Sequence, residues 1–298
     1  MSGVRDRIAG APITWGVCEV AGWGYQLSPG RVLAEMAAVG LAATELGPHG
    51  FLPTPPDQLR RLLQGYGLRL VGGFLPLILH EPSRRAEEVE KAETAISQLA
   101  AGGADMLVLA ADTGETGYEQ SSTLDQEGWR EVAVSIDAIE EAATRRGLSV
   151  SLHPHYGTLV ESPQQVDSLL AASPVSICLD TGHLLAGGGD PVALAGAIPD
   201  RITHCHLKDV DAETAAAVRG GRLSYYQAVK QGMYRPLGEG DVDVAAIVST
   251  LEQSGYQGWY VLEQDVVLDS EPGPEAGPVE SARRSLGYLE ALLTRVPG

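Results

Sequence analysis

Short apolar runs alternate with longer amphipathic segments along the chain. Apolar runs of this length, bounded by glycine or polar residues, are typical of strands. Eight strands are predicted, over residues 11–16, 43–47, 69–75, 105–111, 148–154, 175–180, 202–208 and 258–264. The regular alternation is what indicates the fold class.

The segments between the strands carry apolar residues at helical spacing. The first begins with Ser28 and a proline and ends at Gly40, which are helix start and stop signals. Helices are predicted over residues 28–40, 55–67, 83–103, 125–147, 161–173, 243–258 and 279–296. Segment 211–242 is predicted to be irregular apart from a short helix over 223–232.

Strands that alternate with helices indicate a parallel sheet. Eight such units in 298 residues predict a (β/α)₈ TIM barrel, formed as a single domain over residues 1–298. A doubly wound open sheet is the alternative, but no strand is followed by a G-x-G-x-x-G turn. In a barrel, segment 211–242 follows the seventh strand and belongs to the active face.

Composition narrows the class of protein further. The net charge of −18 and the lack of a basic cluster argue against nucleic acid and anionic membranes as partners. No apolar run is long enough for a membrane span, and the first 16 residues lack a signal-peptide core, so a cytoplasmic protein is expected. The three cysteines do not form a disulfide framework; Cys178 and Cys205 are expected to be small buried residues.

Polar residues end several of the otherwise apolar strands. Residues two apart on a strand share a face, so each His-x-His pair directs both rings toward the barrel axis. Imidazole and carboxylate groups that converge there suit Mn, Co, Zn or Fe, which predicts a metal site. The strand-end candidates are Glu45, His153, His155, Asp180, His204, His206 and Glu263.

Each candidate also has an ordinary structural explanation. A buried histidine is often only hydrogen-bonded in the core, and Asp180 before "TGH" is placed to cap a helix. Glu45 is placed to bond a neighbouring loop, and Lys208 is placed to face solvent. The metal hypothesis is favoured because four successive strands each end in a residue that can bind metal.

Four motifs resemble the xylose-isomerase-like family of sugar isomerases and epimerases: "CLDTGHL", "HCHLKDV", "AVKQGMYRPLGEGDVD" and "GYQGWYVLEQD". The likeness covers nearly the whole chain, and "HLKD…VKQG…GEGDVD" is its most specific part. It implies one metal ligand from each of the last four strands, and those positions fall on His153, Asp180, His206 and Glu263. The implied cofactor is Mn²⁺ or Co²⁺, with Zn²⁺, Fe²⁺ and Mg²⁺ as alternatives.

Within this family the chain is most similar to the dehydratases of keto-inositols. Those enzymes usually carry Asn-Asp after the first-strand Trp, where this chain has "WGVCEV". They usually read His-His-His-Met-Gly-Thr at the fifth strand, where this chain has "HPHYGT". Many members of the family have Glu where His153 stands, which makes the present ligand set one charge less negative.

The resemblance implies metal-dependent dehydration of a keto-inositol (inosose) or related keto-sugar through an enolate. The alternative is a metal-dependent isomerase or epimerase of a free keto-sugar. No basic cluster is present for a substrate phosphate, which favours an unphosphorylated polyol, and a homo-oligomer stays open. The candidate acids and bases are Glu45, His155, Lys208 and Glu263. The candidate substrate contacts are Trp15, His183, His204 and, in a loop expected to close over the site, Glu239.

Overall fold

Eight parallel strands close into a barrel at the centre of the protein. The computed structural model describes residues 4–115, 117–119 and 122–294. The strands follow one another around the barrel in the order β1-β10-β7-β6-β5-β4-β3-β2. They are β1 (Ile8–Gly10), β2 (Ala43–Glu45), β3 (Arg69–Leu77), β4 (Met106–Ala111), β5 (Ser149–Leu152), β6 (Ser176–Asp180), β7 (Ile202–Leu207) and β10 (Tyr260–Leu262). The predicted single-domain (β/α)₈ barrel is confirmed.

Helices surround the barrel and bury their apolar faces against it. The first shows how the sequence sets their bounds: Ser28 accepts a hydrogen bond from the Arg31 amide, Pro29 is the first helical residue, and Gly40 ends the helix at φ 100°. The helices are α1 (Pro29–Val39), α2 (Pro56–Tyr66), α3 (Arg85–Gly102), α4 (Gln126–Thr144), α5 (Pro163–Ala172), α6 (Thr181–Ala186), α7 (Pro191–Ala197), α8 (Ala212–Arg219), α9 (Tyr225–Lys230), α10 (Val244–Gln253) and α11 (Pro278–Leu293). Residues 295–296 of the last predicted helix lie outside the described residues.

The predicted first strand was wrong in position. Residues 12–15 form a 3₁₀ turn, because Pro12 fixes the backbone and the Gly16 amide donates to the Ile13 carbonyl. The strand comes just before it, where Ala9 pairs with Val261 on one side and with Ala43 on the other. These small side chains pack with Val71 inside the barrel, beneath the carboxyl ends of the strands.

Two connections contain more regular structure than the sequence pattern predicted. Helices α6 and α7 follow β6, where no helix was predicted, because helices of six and seven residues on either side of Gly187–Gly189 are too short to show a period. In segment 211–242 the short helix predicted over 223–232 is confirmed as α9, but the segment also holds α8, which was not predicted. Within it, β9 (Tyr234–Arg235) pairs antiparallel with β8 (Asp209–Val210).

None of the helices in the described part of the chain combines the length and the apolar character that a bilayer crossing requires.

Candidate metal centre and active site

A cavity of about 290 Å³ opens at the carboxyl ends of the strands. It contains most of the polar residues that the sequence placed at strand ends, so strand alternation predicted their convergence correctly. Aromatic side chains form much of the wall around them. The polar lining residues include Glu45, His153, His155, His183, His206, Lys208, Glu263 and Asp265, and the aromatic ones are Trp23, Phe74, Tyr118 and Tyr225.

Four side chains are linked by short contacts at the floor of this cavity. His206 Nδ1 lies 3.2 Å from Glu263 Oε2 and 3.7 Å from Asp180 Oδ2. His153 Nε2 lies 3.1 Å from the same Asp180 oxygen. Neighbouring strands supply these groups, and Asp180 stands directly beside His206 in the β6–β7 register.

The four residues fit a divalent cation. Their side chains are at most 8% exposed, and His206 Nδ1 has no hydrogen-bond partner among the described residues. Burial opposes ionisation of Glu263, but His206 and Lys208 outweigh it and lower the pKa of Glu263 to about 2. Burial likewise opposes ionisation of Asp180, yet Lys208 and His183 hold the pKa of Asp180 well below its usual value. Two carboxylates and two imidazoles form a ligand set suited to Mn, Co, Zn or Fe.

Asp180 caps a helix with one oxygen and directs the other toward candidate metal ligands. Its Oδ1 accepts a hydrogen bond from the His183 amide at 2.7 Å and so caps α6. Its Oδ2 faces the candidate ligands His153 and His206. The cap and the metal role are compatible because they use different oxygens.

The two histidines of the first His-x-His pair point to different partners. His153 faces Asp180, whereas His155 Nδ1 lies 2.7 Å from the Tyr156 carbonyl oxygen. A carbonyl oxygen only accepts, so Nδ1 of His155 carries the hydrogen and Nε2 keeps a lone pair. Burial, then the neighbouring His153 and Lys208, hold the pKa of His155 well below its usual value. His155 is therefore a neutral imidazole in the cavity wall, with its ring centroid 3.7 Å from that of His183.

The second pair is joined by Glu45. Oε1 of this glutamate lies 2.9 Å from His204 Nε2 and 3.1 Å from His206 Nε2. The carboxylate accepts from His206 Nε2, which directs the opposite ring nitrogen toward Asp180 and Glu263. His204 is 1% exposed and is not part of the cavity lining, so the structure places it beneath the floor, as a partner of Glu45.

Lys208 is a buried ammonium group in the middle of the acidic cluster. Its Nζ lies 2.8 Å from Asp265 Oδ1, 3.0 Å from Glu263 Oε2 and 2.9 Å from His183 Nε2. Burial alone lowers the pKa of Lys208, but the surrounding carboxylates, Asp180 first, raise it well above its usual value. Lys208 is thus a protonated donor, not a solvent-facing lysine.

Asp265 is a site residue that the sequence reasoning missed. It is 5% exposed, contacts Lys208, and accepts a hydrogen bond from the Tyr225 hydroxyl at 2.9 Å. A signal was present, because Asp265 stands two residues after Glu263 in "LEQD", the spacing at which side chains of an extended segment point to the same side. Tyr225 gave no such signal, since it comes from α9 in the long connection after β7.

Besides His204, two more of the proposed substrate contacts, Trp15 and Glu239, lie outside the cavity lining. Trp15 is fully buried and donates from Nε1 to Glu35 Oε2 at 2.8 Å. Glu239 pairs with Arg284 at 2.7 Å on the surface, and its loop, which was expected to close over the site, adds no lining residue. The described cavity therefore meets a ligand through neither of them.

Comparisons with known proteins identify a family that the chain matches and several related proteins. Residues 33–292 match the family described as xylose isomerase-like TIM barrel. The chain is 35% identical over 268 residues to the rhizopine catabolism protein MocC of Rhizobium meliloti, covering 87% of this chain and 81% of MocC. It is 30% identical over 299 residues to an inosose dehydratase of Geobacillus kaustophilus, covering 96% of this chain and 94% of that enzyme.

A solved structure of the IOLI protein with a zinc atom superposes with a TM-score of 0.68. The match covers 98% of this chain and 99% of that chain at 14% sequence identity, which shows the fold alone.

Proposed function

The chain belongs to the xylose isomerase-like TIM barrel family, and we propose that it is a metal-dependent hydro-lyase acting on a keto-inositol or a related keto-polyol. One arrangement carries the proposal: His155, whose pKa is lowered, and Lys208, whose pKa is raised, line the same cavity as the candidate metal ligands His153, His206 and Glu263. The near full-length relation to an inosose dehydratase supports the substrate class.

His153, Asp180, His206 and Glu263 are the residues that would hold the ion. A divalent cation in this position supplies Lewis-acid polarisation of a substrate carbonyl. Glu45 contributes by orienting His206. Loss of a supporting group of this kind typically lowers metal affinity by about 10–100-fold. The geometry thus favours a positioning role for Glu45 over the acid–base role that its place at a strand end suggested.

His155 is the base that the structure favours. A neutral imidazole with a lone pair on Nε2 can take the proton from the carbon next to the substrate carbonyl. Its low pKa follows from burial, and its ring is held in place by the Tyr156 carbonyl and by contact with His183. Removal of that proton produces the enolate from which a neighbouring hydroxyl can leave.

Lys208 is the acid in this scheme. Its ammonium group donates a proton to the departing β-hydroxyl, which leaves as water, while His155 holds the proton taken from carbon. One proton is accepted and one is given, so the total on the enzyme is unchanged. Asp265 and Glu263 hold the ammonium in place and keep it charged.

The charge of the cavity supports an unphosphorylated substrate. Lys208 is the one lysine or arginine among the described lining residues, and carboxylates already surround it. A phosphate group would therefore meet Glu19, Glu45, Glu263 and Asp265 without a free cation to balance it. Hydroxyl groups of a polyol can donate to the same carboxylates.

The direct test is to incubate the purified protein with 2-keto-myo-inositol and Mn²⁺ or Co²⁺. Dehydration produces a conjugated dione, which is followed by ultraviolet absorbance. Activity should vanish with EDTA and return when Mn²⁺ is restored. Conversion of the substrate to an isomer, with no change in ultraviolet absorbance, would instead establish the isomerase or epimerase alternative.

Lys208→Ala tests the acid role in the same assay. We expect it to lower kcat by about two to four orders of magnitude, as for a lost acid–base group, and to leave bound metal measured by elemental analysis near one per chain. Lys230→Ala is the matched control, because that lysine pairs with Asp269 on the surface. A Lys208→Ala enzyme within about threefold of the control kcat would remove Lys208 from the mechanism, since acid catalysis contributes far more than that.

A further inference from the structure

Cys178 lies inside the barrel, directly beneath the floor of the cavity. It stands two residues before Asp180 on β6 and so shares its inward face. In the neighbouring strand it pairs with His204, as Asp180 pairs with His206 one layer above. The side chain is fully buried against Met106 and Val108, and none of the catalytic steps above uses it.

The thiol lies next to two of the candidate metal ligands. Donor atoms of His153, Cys178 and His206 all lie within 4.8 Å of one another, and all three residues are buried. Nδ1 of His153 and Nδ1 of His206 are both buried without a hydrogen-bond partner in the described part of the chain. A buried thiol and one ring nitrogen of each histidine therefore share one small volume, and each histidine has an unpartnered nitrogen.

We propose that His153, Cys178 and His206 form a second, sulfur-containing ligand set that takes a thiophilic divalent ion such as Zn²⁺ or Cd²⁺. The inference rests on the proposed metal centre only in that the two ligand sets share both histidines. Binding breaks the S–H bond of Cys178, the thiolate donates an electron pair to the ion, and the proton leaves to solvent. Soft thiolate ligands favour such ions over Mn²⁺ and Mg²⁺, which prefer the carboxylates above.

We expect the two sets to exclude each other. An ion held by Cys178 binds His153 and His206, and its positive charge repels a second cation at the adjacent Asp180 and Glu263. Zinc–sulfur and zinc–nitrogen bonds are about 2.3 and 2.0–2.1 Å long, so the donor atoms draw together by about 1 Å on binding. We expect one ion per chain in every case, with zinc held deeper in the barrel than manganese.

X-ray absorption at the zinc edge tests the ligand set without any assay of turnover. Wild-type protein loaded with one equivalent of Zn²⁺ should show a sulfur neighbour at about 2.3 Å together with nitrogen neighbours. Cys178→Ser and Cys178→Ala should both lose the sulfur neighbour. Cys205→Ser is the matched control, because that cysteine is equally buried on the adjacent strand but packs in the outer core.

The outcomes separate this inference from the proposed function. Absence of the sulfur neighbour in the wild type would overturn the inference, and so would its retention in Cys178→Ser. If it is retained, its loss in Cys18→Ser would identify the lining cysteine as the source. Glu263→Gln should weaken Mn²⁺ binding while the zinc–sulfur neighbour stays. If the wild-type protein shows the zinc–sulfur neighbour but does not dehydrate a keto-inositol, this result supports the second ligand set and contradicts the proposed function.

Discussion

Asp180 joins the helix that follows β6 to the centre of the site. Its Oδ1 satisfies an amide at the start of α6, and its Oδ2 contacts His153 and Lys208. The sequence offered these as competing explanations, yet a carboxylate has two oxygens and can serve both. This side chain therefore couples local helix formation to the charge balance of the cavity.

Two substitutions at position 180 separate these roles. Asn caps a helix about as well as Asp, whereas Ala does not, so Asp180→Ala should be less stable than Asp180→Asn by about 0.5–2 kcal/mol. Both variants should bind Mn²⁺ more than about a hundredfold more weakly, since the loss of supporting groups alone costs up to that much. Urea unfolding of the apoproteins and titration calorimetry measure the two effects.

Equal stability of the two variants would show that the Oδ1 contact contributes nothing to folding. Wild-type Mn²⁺ affinity in Asp180→Asn would remove Asp180 from the ligand set.

Strand alternation predicted which side chains enter the cavity, because it depends only on neighbours two residues away. It did not predict how they pair, because those contacts cross the barrel. Glu45 and His204 are 159 residues apart in sequence. Trp15 and Glu239 were assigned to substrate by position in a motif, but their bonds to Glu35 and Arg284 involve other elements. Partner choice is a tertiary property that one sequence does not show.

At the scale of elements, Asp209 organises the connection that follows β7. Its Oδ2 accepts from the amides of Gly238 and Gly240, and its Oδ1 accepts from those of Val210 and Val242. A side chain at position 240 would collide with this carboxylate, which explains the glycine there. The "GEGDVD" motif is thus a turn fixed to the residue after Lys208, not a cover for the cavity.

Asp209→Asn should destabilise the protein by about 2 kcal/mol or more, because either orientation of the amide directs its NH₂ group at two backbone donors. Asp243→Asn is the control, since Asp243 caps α10 through the Ala246 amide and Asn caps equally well. Urea unfolding of both variants gives the comparison. A cost below about 0.5 kcal/mol for Asp209→Asn, the size of an ordinary surface change, would contradict the proposed organising role.

Seven of the eight barrel strands overlap their predicted ranges because each apolar run is buried and bounded by polar or glycine residues. The first did not, since Ile8–Gly10 is too short to show a pattern and Pro12–Trp15 is equally apolar. Helices α6 and α7 were missed for the same reason of length. Periodicity needs several turns or pleats, so an element as short as the helix that Asp180 caps can escape it.

At the scale of the whole molecule, charge is distributed unevenly. The chain carries −18 overall and has three lysines. Lys91 and Lys230 are exposed, whereas Lys208 is 1% exposed among carboxylates. At the described site, Lys208 and His206 are the cationic partners of Asp180, Glu263 and Asp265. A bound cation therefore offsets negative charge that remains at the folded site. The unfolded chain holds no comparable group of ligands.

Metal binding should for this reason raise the thermal stability of the protein. An ion at about 100 times its dissociation constant stabilises the native state by about 2.7 kcal/mol. An unfolding entropy of about 2.1 cal/mol/K per residue amounts to about 0.6 kcal/mol/K for this chain, so Tm should rise by about 4 °C. Scanning calorimetry with EDTA and then with Mn²⁺ measures the shift. Asp180→Asn, with at least hundredfold weaker binding, should shift by less than about 1 °C, while Asp243→Asn, which is outside the cavity lining, should keep the full 4 °C or so. An equal shift in Asp180→Asn would show that the ion binds elsewhere in the molecule. The ion stabilises the protein only through ligands that are held together in the native state and not in the unfolded chain.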